Sequence, residues 1–298
     1  TRNPNGQTVE AFPDSKRLFT HGRNRFLEAA RVLARFGEHP NIVSVLTFFS
    51  ANESAYLVMR YLEGGDLSHY MASAGGRLPP DQAVAITKEV LKGLHAVHGA
   101  GLLHRDIKPQ NIYLTKEGGV KLLDFGSARY ALVESSKTLT TILTPGYAAP
   151  EMYDPSDTVG PFTDVYSVGA TLHQLLTGQG PKDLFSRVGD DSMHPPATIN
   201  PSIHGALSDI VHRAVAMEPG ERFPDVSSFL KALDELPESA LGGGRRRRRP
   251  STTKPQWAVT EQDPPPSPSG NPPTGDTGTG AATGAGTAAA AGASAGAT

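Results

Sequence analysis

The sequence predicts an α+β fold, because its order of elements is helix, hairpin, helix, hairpin and then mostly helices, without the regular strand–helix alternation of an α/β sheet. The first block begins with apolar residues at helical spacing over 25–36 and ends at Gly37. Two apolar runs follow at 42–49 and 55–59, and the polar break between them has the length of a hairpin turn. This block therefore predicts one helix and one pair of strands.

The second block is mainly helical and contains one further hairpin. Apolar residues recur at helical spacing over 80–99, and two short apolar runs at 112–114 and 120–123 flank a turn. Beyond them, the segments 161–178 and 205–236 return to helical spacing. About 240 residues in this order can bury the core of one large domain or of two small lobes.

The composition excludes several classes of protein. The 298 residues include 28 Lys and Arg against 30 Asp and Glu, so the net charge of −2 attracts neither nucleic acid nor a membrane as a whole. There is no cysteine, which excludes disulfides, a thiol nucleophile and zinc sites with thiolate ligands. No apolar run approaches the roughly 18 residues of a membrane-spanning helix, and the first residues lack the apolar core of a signal peptide. We therefore expect a cytoplasmic protein without a nucleic-acid partner.

The segment 239–298 differs in composition from the rest of the chain. Five consecutive arginines, Arg245 to Arg249, precede a Pro-rich stretch, and residues 277–298 contain only Thr, Gly, Ala and Ser. Such a segment cannot bury enough apolar surface to offset its conformational entropy, so we predict a disordered tail. The arginine run suits contact with an anionic membrane surface or with nucleic acid, and a solvated linker is the alternative.

Three motifs in one order concentrate the chemistry of the chain. The loop at 104–111, with the sequence His-Arg-Asp-Ile-Lys-Pro-Gln-Asn, brings a carboxylate, an ammonium group and an amide together within six residues. Asp-Phe-Gly at 124–126 follows a predicted strand directly, and Ala-Pro-Glu occupies 149–151. Each triplet alone is weak evidence, but the three motifs together in matching local structure are specific.

On these motifs the chain resembles the eukaryotic-like protein kinases from about Phe12 to about Leu236. The resemblance implies a protein kinase domain over 1–238, with an α+β fold of two lobes. It also implies transfer of the γ-phosphate of ATP to Ser or Thr hydroxyls of a protein substrate, with Mg²⁺ or Mn²⁺ as the metal. Lys108, two residues after Asp106, is similar to the serine/threonine branch of the family. Such transfer depends mainly on positioning and on neutralising phosphate charge.

The resemblance assigns roles to the residues of the motifs. Asp106 would accept the proton of the substrate hydroxyl, and Lys108 would contact the transferred phosphate. Asn111 and Asp124 would hold the metal ion, since Mg²⁺ prefers oxygen ligands. It also assigns three residues to nucleotide binding: Met59, Tyr61 and Tyr113.

Further residues would shape and regulate the site. Thr144 would close the substrate platform against Asp106, and Glu151 would pair with Arg222 in the scaffold. Asp164 would cap the catalytic loop from a buried helix. By resemblance, Arg105 would meet a phosphate on the activation segment, for which the two candidates are Thr140 and Thr141.

The sequence departs from the family at two points. A glycine-rich loop and a strand lysine are absent before Phe12, so we expect an N-terminally truncated kinase with an incomplete first lobe and impaired transfer. The family glutamate that pairs with this lysine corresponds to Ala29, four residues before Leu33. Glu28 lies one residue too early, about 100° around the helix, and would substitute only if the helix rotated.

Alternatives remain open on sequence alone. A pseudokinase that binds or scaffolds without transferring phosphate is favoured by Ala29, whereas the 104–111 and 124–126 motifs favour an enzyme. A small-molecule phosphotransferase has no use for the peptide platform at 144–151. Self-association for phosphorylation between copies is a further expectation. His95, His98 and His104 have a spacing similar to that of metal ligands, but packed or solvated histidines are expected because no carboxylate stands at helical spacing.

Overall fold

The computed structural model describes residues 16–125, 143–154, 156–188 and 193–242. The first helix, α1 (Lys16–Ala34), packs on a hairpin of two antiparallel strands, β1 (Val45–Ala51) and β2 (Ser54–Met59). Its inner face is apolar, with Ala29, Ala30 and Leu33 buried. This amphipathic packing holds α1 against the hairpin. Helix α1 and the strands β1 and β2 form the first lobe in the described part of the chain.

A second antiparallel sheet has the strand order β3 (Gly64–Asp66), β4 (Ile112–Thr115) and β5 (Val120–Leu122). The short helix α2 (Leu67–Ser73) begins directly after β3, where the carboxylate of Asp66 accepts hydrogen bonds from the backbone N–H groups of Ser68 and His69, both at 3.0 Å. Such a cap satisfies donors that the first turn of a helix leaves free. The sheet and α2 thus join the first lobe to the helical lobe.

The helical lobe is built on two long buried helices, α3 (Pro80–Gly99) and α4 (Pro161–Thr177). Two short helices follow, α5 (Leu184–Arg187) and α6 (Pro196–Ile199), and then α7 (Gly205–Ala214) and α8 (Val226–Asp234), which pack on the long pair. Apolar side chains from these helices and from the second sheet form one core. Among the described residues no helix is long and apolar enough to span a membrane.

The predicted fold class is confirmed, and the element boundaries differ in instructive ways. Helix α1 begins nine residues before the predicted 25–36, because Gly22 does not interrupt it. The first strand is displaced from 42–49 to 45–51, since Ile42 instead forms a parallel bridge to Leu122 of β5. The glycines at 64 and 65 belong to a strand that the sequence does not predict, β3, where they pair with Thr115 and Leu114.

Candidate active site

A buried carboxylate on α4, that of Asp164, holds the loop at 104–111 in place. Asp164 accepts the backbone N–H of His104 at 2.9 Å and that of Arg105 at 2.7 Å. Burial by itself raises the pKa of Asp164, but hydrogen bonds and positive charge from His98 and His104 outweigh it and hold the pKa below its ordinary value. Arg105 has a left-handed backbone (φ 64°), a conformation that its contact with Asp164 stabilises.

Asp106 lies at the centre of a compact polar network. Lys108 Nζ is 3.0 and 2.9 Å from the two carboxylate oxygens of Asp106. The hydroxyl of Thr144 donates to Oδ1 of Asp106 at 2.8 Å and accepts from Lys108 Nζ at 3.0 Å. Asn111 Nδ2 donates to the backbone carbonyl of Asp106 at 2.7 Å and to its Oδ2 at 2.9 Å. These contacts fix the orientation of the Asp106 carboxylate, which lies at the edge of a cleft.

Asp124 reaches the same cleft from the end of β5. The backbone N–H of Leu123 donates to the carbonyl of Asn111 at 2.9 Å, which ties the two segments together. Asp124 itself is exposed and has a left-handed backbone (φ 43°). The next residue, Phe125, packs its ring 4.6 Å from that of the fully buried His104, whose Nε2 lies 2.8 Å from the carbonyl of Leu123. Burial lowers the pKa of His104, so its neutral form is favoured there.

The cleft has a volume of about 340 Å³ and two chemically different walls. One wall carries the polar side chains of Asp106, Lys108, Asn111 and Asp124. The other wall is apolar and comes from α1, β2 and Phe125; its members are Phe26, Ala29, Ala30, Leu33, Leu57 and Phe125. This combination suits a ligand with an anionic part and an apolar part.

The polar wall has donors that fit a divalent cation. Asn111 commits its amide nitrogen to Asp106, so its carbonyl oxygen is the atom left to ligate, next to the carboxylate of Asp124. In the described part of the chain no cluster of three or more His, Cys, Asp or Glu side chains could enclose a metal. Mg²⁺ commonly binds through one or two protein oxygens together with substrate phosphates, and two oxygen ligands on an open cleft match that habit.

The structure separates Glu28 from the cleft. Glu28 is exposed on the outer face of α1, whereas its neighbour Ala29 is 5% exposed and lines the cleft. The helix is therefore not rotated toward Glu28, and no carboxylate of α1 reaches the polar wall.

The three residues assigned to the nucleotide are not among the residues that line the cleft. Met59 is half-buried at the end of β2, and Tyr61 is 87% exposed. The hydroxyl of Tyr113 donates to the carbonyl of Leu62 at 2.9 Å, and burial, followed by the charges of Tyr61 and Asp66, raises its pKa. Tyr61 and Tyr113 thus lie close together at the connection between the lobes.

Sequence reasoning missed the apolar wall of the cleft. The helical spacing of Phe26, Ala30 and Leu33 marks them as core residues, but no local signal shows that part of that face is left open to a cleft. The histidines were also interpreted incompletely, because His98 contacts Asp164 on another helix, 66 positions away, and His95 lies 2.9 Å from the hydroxyl of Ser227.

The segment expected to form the substrate platform packs on a buried ion pair. Glu151 and Arg222 form a buried ion pair below the segment that begins at Thr144. Three groups of predicted residues lie outside the described residues: Gly126, the two threonines Thr140 and Thr141, and the run Arg245 to Arg249.

Comparison with known proteins identifies relatives of this arrangement. The family model for the protein kinase domain matches residues 14–223. Serine/threonine-protein kinase Pkn1 of Myxococcus xanthus is 34% identical over 221 residues, which cover 70% of this chain and 31% of that protein. PknL of Mycobacterium tuberculosis is 34% identical over 223 residues, covering 72% of this chain and 55% of that protein. PknH of Mycobacterium bovis is 33% identical over 261 residues, covering 84% and 43%.

A solved structure shares the fold. The chain described as the apo form of PpkA-294 superimposes with a TM-score of 0.64 at 31% identity, covering 78% of this chain and 82% of that one. The chain spans about a third to a half of the length of the three kinases to which it is compared.

Proposed function

The chain belongs to the protein kinase family, in its bacterial eukaryotic-like branch, and we propose that it transfers the γ-phosphate of ATP to Ser and Thr hydroxyls of proteins. Membership implies ATP and a divalent metal as the groups that the site holds. The observation that carries the proposal is the network around Asp106, whose carboxylate is fixed by Lys108, Asn111 and Thr144 at the edge of a cleft that also contains Asp124.

Each residue of the polar wall has a role that its contacts support. Asp106 presents an acceptor of fixed orientation, as the removal of a proton from a substrate hydroxyl requires. Lys108 adds a positive charge beside that acceptor, where the transferred phosphate would lie. Asn111 and Asp124 supply the oxygens for Mg²⁺, or for Mn²⁺ in its place. The metal, when bound, neutralises phosphate charge as it develops.

The wider organisation follows from the same proposal. The kinase domain extends over 1–238 and the tail over 239–298. The protein substrate lies along the platform from Thr144 to Glu151, and Arg105 contacts a phosphate carried by Thr140 or Thr141. The protein acts in the cytoplasm, and its arginine run contacts an anionic membrane surface. Copies associate for phosphorylation of one another.

The second candidate is a pseudokinase, and the observation that favours it is Ala29, which puts a methyl group where the family has a glutamate. We favour the enzyme, because relatives named as serine/threonine-protein kinases match the chain and because the carboxylate of Asp106 is fixed at the edge of the cleft that also contains Asp124.

The test measures binding and transfer separately. Calorimetry on the purified chain records ATP binding with and without Mg²⁺, and labelled ATP with a Ser/Thr-containing protein records transfer by the chain and by the complete product of its gene. We expect metal-dependent ATP binding that Asp124→Asn weakens.

Substitutions of Asp106 and Asp124 should have different effects in this test. Asp106→Asn should reduce transfer by about 10²–10⁴-fold while ATP affinity stays near that of the wild type, because the carboxylate acts in the transition state. Asp209→Asn, the same change on the exposed face of α7, is the matched control and should change neither quantity. Metal-dependent binding without transfer by the complete gene product would identify the pseudokinase, and absence of ATP binding would exclude the enzyme.

A further inference from the structure

His173, on the buried helix α4, is a titratable side chain that the proposed mechanism does not use. It is 3% exposed, and its Nε2 lies 3.0 Å from the backbone carbonyl of His194. Because a carbonyl oxygen can only accept a hydrogen bond, Nε2 carries the hydrogen. The other ring nitrogen, Nδ1, is buried and has no hydrogen-bond partner among the described residues. The contact with His194 therefore fits the neutral ring, in which Nδ1 carries no hydrogen.

The hydrogen bond from His173 ties the stretch 193–199 to α4. This stretch contains Met193, His194 and the short helix α6. Met193 is 2% exposed and shares a buried apolar cluster with Ala148 and Ala149, which belong to the segment expected to form the substrate platform. The stretch 193–199 thus contributes to the apolar support of that segment.

Two basic side chains act on the His173 ring from the elements packed around it: Arg187 of α5 and His212 of α7. Arg187 is 2% exposed, so water and salt screen its charge little. Burial lowers the pKa of His173, and the positive charges of Arg187 and His212 add to this effect, while the hydrogen bond to the carbonyl of His194 opposes it. The surroundings of the ring therefore favour its neutral form.

The carboxylates on α7 and at the start of α5 are engaged elsewhere or exposed. Asp183 accepts the backbone N–H of Ser186 at 3.0 Å, and Asp209 is exposed on α7. Neither is among the groups that act most strongly on His173. A proton on Nδ1 would therefore add a buried charge beside Arg187 and a buried N–H group without an acceptor in the described part of the chain.

We propose that His173 is an acid-sensitive latch, whose neutral ring holds the stretch 193–199 on α4 and whose protonation releases that stretch. Release is favoured in acid because the opened stretch lets water reach the ring, where the charged imidazole is solvated. The latch adds pH regulation to the proposed site, and its effect on phosphate transfer rests on the proposed function. The latch itself does not depend on that function.

Two substitutions separate titration from hydrogen bonding. His173→Gln keeps an amide N–H near the position of Nε2 and does not titrate. His173→Leu removes both the donor and the titration, so it should be less stable than His173→Gln at every pH. His21→Gln, on the exposed face of α1, is the matched control. Urea unfolding of the full chain from pH 5 to 8 compares these proteins.

We expect the wild type to lose stability in acid more steeply than His173→Gln. The unfolded chain takes up a proton at His173 as pH falls through 6.5, whereas the folded chain does so only at the lowered pKa. Stability is therefore greatest above pH 6.5 and is lost as pH falls from 6.5 toward that lower value. Relative to the Gln variant, the unfolding equilibrium constant should rise by up to about tenfold per pH unit.

The comparison isolates His173 from the other buried histidine with a lowered pKa. His104 is present in both proteins, so its contribution cancels in the difference. His21→Gln should follow the wild type over the whole range. Equal pH dependence of the wild type and His173→Gln would overturn the proposal.

Nitrogen NMR of histidine-labelled protein detects the charge of the ring directly. The signal that is missing from His173→Gln belongs to His173, and at pH 6 it should still be that of a neutral ring with its hydrogen on Nε2. An exposed imidazole is largely charged at this pH. A His173 ring that titrates near pH 6.5 would contradict the latch.

Hydrogen exchange measures the release of the stretch itself. The amides of Ala197 and Thr198 donate to Ser208 Oγ and to the carbonyl of Pro195. After correction for intrinsic exchange, their protection in the wild type should fall about tenfold between pH 7.5 and 5.5, and His173→Gln should keep it. Unchanged protection in the wild type would refute release in acid. If these measurements hold while the complete gene product transfers no phosphate, the proposed function fails and the latch stands.

Discussion

Glu151 and Arg222 form a bidentate ion pair in the interior of the helical lobe, with Nη1 2.8 Å from Oε1 and Nη2 2.9 Å from Oε2. Their side chains are 3% and 0% exposed. Arg222 also donates to the carbonyls of Ala216 and Met217, at 2.8 and 2.9 Å, and Thr163 donates its hydroxyl to Glu151 at 2.8 Å. The pair therefore joins the segment around Glu151, the first turn of α4 and the loop before α8.

Arg222→Met should lower the free energy of unfolding by about 3–5 kcal/mol. Removal of the guanidinium leaves the buried carboxylate of Glu151 without its counter-charge, and that uncompensated charge is the main cost. Urea unfolding at pH 7 measures the loss.

The double variant Glu151→Gln with Arg222→Met serves as the control for this explanation. It removes both charges, so it should be more stable than Arg222→Met alone. Arg25→Met, on the exposed face of α1, should change stability by less than about 0.5 kcal/mol. Equal stability of the single and double variants would show that packing of Arg222, and not charge compensation, dominates.

Gly64→Ala should destabilise the protein strongly, and Gly65→Ala should not. Gly64 has φ +142°, and a Cβ there would lie 2.0 Å from the carbonyl oxygen of Leu114, a backbone atom that cannot move aside. A Cβ on Gly65 would meet nothing within 4 Å. We expect a loss of about 2–4 kcal/mol for Gly64→Ala and of less than about 1 kcal/mol for Gly65→Ala, measured by urea unfolding. Similar losses for both would contradict the pairing of β3 with β4.

The same glycines show why the sequence predicts some elements and not others. Helices α3 and α4 are long and periodic, so their apolar spacing locates them within a residue or two. Strand β3 has three residues, two of them glycine, and exists only because its backbone pairs with β4, about fifty residues away. Helix α2 is too short for a periodic signal, and its start depends on the cap from Asp66.

The sequence likewise predicts some residues of the candidate site and misses the partners that orient them. The motifs at 104–111 and 124–126 are local, so sequence alone places Asp106, Lys108 and Asn111 on one loop and Asp124 at the end of a strand. The partners that orient them come from distant parts of the chain: Thr144 contacts Asp106, and Asp164 contacts the backbone of Arg105. The contact between His98 and Asp164 had no sequence signal, because it joins two helices whose packing is set by the whole core.

Glu28→Ala should leave the stability of the protein nearly unchanged, whereas Ala29→Glu, at the adjacent position, should lower it. Glu28 is exposed and forms no ion pair with the described residues, so its loss should change the free energy of unfolding by less than about 0.5 kcal/mol. Ala29→Glu puts a carboxylate on the cleft wall opposite Asp124, at a position 5% exposed, and should cost about 1–3 kcal/mol.

Ala29→Gln is the control that isolates charge in this series. Burial raises the pKa of a carboxyl group, so the deficit of the Glu variant relative to the Gln variant should grow from pH 5 to pH 8, as measured by urea unfolding. A Glu variant as stable as the Gln variant at both pH values would show that a cation reaches position 29. In the complete gene product, a lysine facing position 29 would make the Glu variant more stable than the Gln variant and would raise phosphate transfer.

Thr144→Val should reduce phosphate transfer by the complete gene product about tenfold while leaving ATP affinity nearly unchanged. The hydroxyl of Thr144 accepts from Lys108 and donates to Asp106, so it relays one hydrogen bond between the cation and the carboxylate. Valine has nearly the same shape without the hydroxyl, which frees both partners to move by some tenths of an ångström, and such displacements in a reacting centre cost about 1–2 kcal/mol.

Thr144→Ser keeps the hydroxyl and should retain most of the rate. Steady-state kinetics at saturating ATP, with ATP affinity from calorimetry, separates the two effects. A Ser variant as slow as the Val variant would assign the loss to the methyl group of Thr144 and remove the hydroxyl from the proposed network.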